Sequence, residues 1–424
     1  LGSLAGDGSV ALGAHTLATG LGGDSSFAGV LAGSGALTKQ GAGSFTLSGA
    51  NTYTGATTVA AGTLALGAAD TLADSTAVQV ASGATLALGG ADTVASLALA
   101  GTLAGSGTLT AGSYTLTSGS VASGANLGLG TLSSSGSSQL AGTAAAGTVS
   151  VTNGTLTLAS AHRLTGTPAV DVASAATLQL AGDQSASTLA LAGTLAGTGH
   201  TFTATTTTLQ TGAAVAANLG AGSLQVDGNA TLSGTAGSGT VQVTGGNLSL
   251  ASAGRLASGA DVTVSSSRTL ALGGDESVHA LTLAGTLAGS GHTLTAGQTT
   301  LQTGALVQAN LGLGALAVNG NATLTGSAGA GTVQVNAGTL TLSTADRLSD
   351  AAAVRVEAGA ALTLAADDTV LSLSSAGTIN GPGTLFAGAY SLTGGIYNAD
   401  IGGGALTATG NNLLNGRSAA TSVD

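Results

Sequence analysis

One phrase is written almost twice in succession. Residues 62–73 read GTLALGAADTLA and residues 84–95 read ATLALGGADTVA. Leu64, Leu66 and Asp70 return as Leu86, Leu88 and Asp92, each 22 residues later. The same offset takes Leu156 and Leu158 to Leu178 and Leu180, and Leu340, Leu342 and Asp346 to Leu362, Leu364 and Asp368. A strand-like xLxL segment that returns at a short fixed interval cannot bury its apolar side alone, so successive copies must stack. The expected fold is all-β, a parallel β-helix (β-solenoid) with about 22–24 residues per rung.

A longer period lies above this one. Gly101, Gly193, Gly285 and Gly377 fall 92 residues apart in LAGTLAGSG or a variant of it, and Gly147, Gly239 and Gly331 open GTVSV, GTVQV and GTVQV at the same spacing. The 92-residue supra-repeat is read as about four rungs, giving about 18 for the chain. One continuous solenoid is expected over 1–424: a partial repeat at 1–40, repeats at 41–132, 133–224 and 225–316, and a fourth with a further partial copy at 317–424.

Composition fits a slim coil better than a thick globular core. The 424 residues include 73 Gly, four Tyr, four Phe, and no Trp, Met or Cys. Regular apolar alternation argues against disorder. Seven Lys and Arg against 18 Asp and Glu leave no basic footprint for nucleic acid. Without Cys there is no disulfide framework and no thiol chemistry. No run of 18 apolar residues offers a transmembrane helix, and the start at Leu1 shows no signal peptide; both ends fall inside repeating sequence, as in a slice of something longer.

Asn153-Gly154, between Val149-Ser150-Val151 and Leu156-Thr157-Leu158, is a strong hairpin signal. The equivalent pairs are Ala61-Gly62, Gly245-Gly246 and Ala337-Gly338, in which only the second Gly is kept. That pattern favours a left-handed glycine at a corner between two faces of a coil.

Residues 41–67, GAGSFTLSGANTYTGATTVAAGTLALG, closely resemble the passenger-associated transport repeat, also called the autotransporter-associated β-strand repeat. Gly41, Gly43, Leu47, Gly49, Asn51, Tyr53, Gly55, Thr58, Gly62 and Leu64 carry the likeness. The remaining copies resemble the repeat arrays of large haemagglutinin-like surface adhesins in their Gly, Ala, Thr and Leu content. The resemblance implies a right-handed coil and secretion from a Gram-negative bacterium by an autotransporter or two-partner route. It implies a stalk or an adhesive role, an outer-membrane translocator as export partner, and no enzyme.

The candidate sites are few. Asp70 with Asp92, and Asp346 with Asp368, fall one rung apart, near enough to repel or to share a weakly bound Ca²⁺. Acidic pairs on neighbouring rungs also suit a glycan-binding or glycan-cleaving β-helix. His162 with Gln184, and Gly254 with Glu276, occupy the equivalent places, and Asp is a common turn residue, so these positions read as solvated corners. Arg163, Arg255 and Arg347 recur at 92, as do His200 and His292, and read as fixed corner contacts. His15, His162, His200, His279 and His292 show no metal-ligand spacing. Tyr53, Tyr114, Tyr390 and Tyr397 read as corner packing more than as sugar platforms, and a flat hydroxyl face at Thr205–Thr208 is only a minor alternative. No catalytic, cofactor or metal residue is assigned. The expectation is a non-enzymatic stalk or fibre subunit, secreted or at the cell surface, that binds a cell surface or joins end to end with its own copies.

Overall fold

The computed structural model describes residues 1–424, which form strands and turns and no helix. The chain packs as two units, Leu1–Thr208 with Ala213–Gly220, and Leu209–Gly212 with Ala221–Asp424. In both, parallel strands stack as a β-solenoid.

In the first unit a turn has three short sides. Thr85–Leu88 makes the first side, and the strand Asp92–Leu99 makes the other two, bending at Ala95. Leu86 stacks on Leu64 before it and Leu103 after it, and Val121 continues the column. On the third side Val78, Leu97, Tyr114, Leu132, Val149 and Val170 stand in register. Alternation explains the placement. In Thr85–Leu88 the two leucines are buried, while Thr85 and Ala87 face outward. A fully buried Leu contributes roughly 1.5–3 kcal/mol, so a column of them stabilises each turn against its neighbours.

The second unit repeats the plan with Thr269–Leu272 on the first side and Glu276–Leu283 along the second and third. Leu250, Leu272 and the preceding Leu232 stack on the first side, and Val243, Val264 and Leu283 on the third.

The register corrects the rung length. Ala77, Ser96, Ser113, Thr131, Thr148 and Ala169 hold the same place in consecutive turns, so five turns fill 92 residues where four were expected. Thr240, Asp261, Ala280, Gln298, Ala315 and Thr332 do the same in the second unit. The 22-residue offset is real between Thr63–Leu66 and Thr85–Leu88, but Thr102 follows Thr85 after only 17 residues. Long turns carry an extra corner loop, and they are the ones whose xLxL segments match most visibly.

Asn153-Gly154 is not a hairpin. Val149 pairs with Leu132 and Val170 on the third side, whereas Leu156 pairs with Ser138 and Leu178 on the first, all in parallel. Gly62, Gly154 and Gly338 take left-handed φ of 64°, 69° and 70°. Gly246 departs from the expectation, since its φ is not positive. A Cβ there would meet the backbone carbon of Gly228 at 2.0 Å, so close stacking of turns requires the glycine.

Candidate functional site

Within each unit the positions that recur with polar chemistry take the same kind of corner in each copy, between the first and second sides of a turn. Asp70, His162, Gly254 and Asp346 have φ of 50°, 56°, 66° and 54°, in the left-handed region. This kink turns three successive N–H groups toward the following turn. The first reaches a backbone carbonyl: Asp70 N–H donates to Ala91 O at 3.0 Å, His162 to Asp183 O at 2.9 Å and Gly254 to Asp275 O at 3.0 Å. The next two form a small concavity that an oxygen can fill.

A side chain of the following turn supplies that oxygen. Asp92 Oδ2 accepts from Thr71 and Leu72 N–H at 2.8 and 3.1 Å. Gln184 Oε1 accepts from Arg163 and Leu164 at 2.9 and 3.3 Å. Glu276 uses both oxygens, Oε1 for Arg255 and Oε2 for Leu256, at 2.8 and 3.1 Å. Asp368 Oδ2 accepts from Arg347 and Leu348 at 2.7 and 3.3 Å. These four side chains are 0–3 % exposed.

That overturns the solvated-corner reading for Asp92 and Asp368. Asp70 and Asp346 are exposed as expected, but their partners one rung on lie inside and are bonded to backbone. A corner that leaves two N–H groups without an intra-turn acceptor must satisfy them, and an inward carboxylate or amide does so. Burial pushes the Asp92 carboxyl up to about 6 against the opposing pull of the N–H bonds, with the charge of Asp70 adding to the rise. Burial likewise raises Glu276 and Asp368.

The recurring arginines fasten the same corner from outside. Arg255 Nε donates to Ala253 O at 3.0 Å and its Nη1 to Ser233 O at 2.7 Å, on the preceding turn. Arg163 reaches Ala161 O and Ala141 O, and Arg347 reaches Ala345 O and Thr325 O, in the same way. In the first copy Thr71 takes the place and its hydroxyl donates to Ala68 O at 2.9 Å. All four tyrosines are buried at 0–2 % exposure, so none offers a ring to a sugar. His279 makes an exposed contact with Asp261, Nδ1 to Oδ1 at 2.6 Å, which no spacing announced. No three His, Asp or Glu side chains gather where a metal ion would sit. An open depression of about 340 Å³ on the third side of the second unit is floored by Ala315 and Ala317 and flanked by Gln298, Gln334 and Arg355, with no acidic lining residue.

Residues 37–59 hold a neutral version of the corner. Asn51 is 4 % exposed; its Oδ1 accepts from Leu31 N–H at 2.8 Å, and its Nδ2 donates to Gly49 O and Thr71 O at 2.8 and 2.9 Å. One amide thereby ties three consecutive turns. Lys39, the only lysine, is fully buried, and its Nζ donates to the carbonyls of Gln40, Gly41 and Ala61 at 2.8, 2.9 and 3.0 Å. Burial lowers its pKa, and Asp24 opposes the shift. Residues 37–66 match the family model of the passenger-associated-transport-repeat. The transport repeat and the solenoid together fit a structural region of a secreted autotransporter passenger. Within it, Asn51 and Lys39 act on backbone groups of neighbouring turns. No curated protein and no solved structure matches the chain.

Sequence reasoning missed the roles of Asn51 and Lys39 and the inward turn of Asp92. A signal for the last was present. Gln184 and Glu276 share the slot, and neither residue type is favoured in the tight turns that select Asp and Asn.

Proposed function

We propose that the chain is a non-enzymatic stalk of a secreted bacterial surface protein, exported through an outer-membrane translocator and serving to hold an adhesive part at a distance. One observation carries the reading. The recurring side chains that would make a local active site, Asp92, Gln184, Glu276, Asp368 and the three arginines, are engaged with backbone groups of adjacent turns. Function then lies in length and stiffness more than in a pocket. Adhesion requires contact at a distance, and stacked parallel strands supply it cheaply in residues.

The test is an in-frame removal of residues 133–224 from the secreted protein. Five turns at roughly 4.8 Å shorten a stalk by about 24 Å, which electron microscopy of the displayed protein would register, with secretion retained. A glycan-cleaving activity that Asp368→Asn abolishes in a folded chain would overturn the proposal.

A further inference from the structure

Two of the four corner side chains have an oxygen with no partner. Asp92 Oδ1 and Asp368 Oδ1 are buried and unbonded, while the Oδ2 of each accepts two N–H groups. An ionised carboxylate left so is costly in an apolar interior. The amide versions of the corner show what belongs in that place. Gln184 Nε2 donates to Gly182 O, two residues back, and to Ser160 O on the preceding turn, at 3.2 and 2.6 Å. Asn51 Nδ2 likewise donates to the carbonyl two residues back, Gly49 O. At both amides a donor stands opposite the accepting oxygen.

We infer that Asp92 and Asp368 are protonated in the closed corner, each as a neutral carboxylic acid that imitates the amide of Gln184, so that these two corners form an acid-dependent lock. Oδ2 accepts from the preceding turn as before. Oδ1 carries the proton and donates it to the carbonyl two residues back, Gly90 for Asp92 and Ala366 for Asp368. Ionisation removes that donor and leaves a buried charge facing carbonyl oxygens.

The surroundings favour the neutral form. Asp70 on the preceding turn faces Asp92 with a like charge, and the phenol of Tyr53 lies near enough to feel Asp92. Asp346 acts on Asp368 in the same way. Arg347 gives Asp368 its backbone N–H, but its guanidinium is turned to Ala345 and Thr325 carbonyls. In the following turns Leu109 and Leu385 stand opposite the two acids, and neither titrates. Burial raises both acids above their unfolded value, Asp92 to about 6. The folded state therefore binds these protons more tightly than the unfolded chain. At Asp92 the lock is complete below about pH 4 and is lost as pH rises through about 6; at Asp368 it is lost in the same direction, as pH rises above the ordinary carboxylate range.

The experiment compares the full chain with Asp92→Asn/Asp368→Asn and with Gln184→Glu. Infrared difference spectra between wild type and the double variant at about pH 5 should contain a protonated carboxylic-acid band that disappears by about pH 8. The thermal midpoint of wild type should fall by several degrees over that range, and that of the double variant should fall less, leaving only the part due to Glu276. Gln184→Glu should acquire the fall at a third corner. A wild type without the acid band at about pH 5, or a double variant with an unchanged pH slope, overturns the inference. If the double variant does not fold, the wild-type titration and Gln184→Glu decide it: a Glu at 184 that leaves the midpoint at about pH 8 unchanged also overturns it.

Discussion

The corner at Asn51 and the corner at Asp92 do the same work with different chemistry. They lie two turns apart in one stack, where Asn51 accepts from Leu31 and Asp92 accepts from Thr71 and Leu72. Asn51 also donates from its other end, to Gly49 and Thr71, and so has no titratable group and no orphaned atom. Asp92 accepts with one oxygen and leaves the other bare. The amide gives a link that holds at any pH. The acid gives one whose strength depends on a proton, at a position otherwise equal in burial. A solenoid can therefore set the stability of a turn by a single choice between amide and acid, without touching its apolar columns.

The largest effect is expected from converting the first kind of corner into the second. Asn51→Asp removes two donated bonds and places a charge in the interior. The loss should be about 3 kcal/mol or more at pH 8, with a large part regained near pH 4, read from urea midpoints at the two pH values. An equal loss at both would break the comparison, since it would mean that shape and not charge distinguishes the corners. Lys39→Met should cost less, about 1–2 kcal/mol. It keeps the buried stem but withdraws donors from the carbonyls of Gln40, Gly41 and Ala61, and the relief of burying a charge offsets part of the loss. Local hydrogen exchange around residues 37–61 checks it. The smallest effect belongs to Arg255→Ala, about 1 kcal/mol or below. It loosens the outer tie to Ser233 while Glu276 still holds the inner one, and only amides near 233 and 255 should exchange faster.

Much of the fold was legible because stacking has a strict requirement. Leu64 and Leu86 must fall in register for their columns to close, and the sequence repeats them in register. The turn count was not legible, because the intervening rungs lack the phrase. Leu103 in TLAG and Val121 in SV continue the same column with a segment cut short by glycine or by the next corner. The corner was half legible. Asp at a turn reads as solvated in isolation, and its inward direction is set by a kink at Asp70, 22 residues earlier, that a non-glycine residue does not advertise. Lys39 was not legible as a core residue, since burying its amine depends on the carbonyls of the next two residues converging with that of Ala61 on the following turn.

The corner bonds also carry an arrow. In all four copies the inward side chain comes after the preceding-turn N–H groups it accepts from, by 21 residues for Thr71 with Asp92, Arg163 with Gln184, Arg255 with Glu276 and Arg347 with Asp368. A coil built from its N-terminal end must advance with its newest corner of this kind still open, waiting about one turn of synthesis or export for the latch to arrive. Built from the other end, each pair of amides would be delivered to an oxygen already in place. The same finished molecule thus has an easy and a hard direction of assembly, written into which side of every lock comes first.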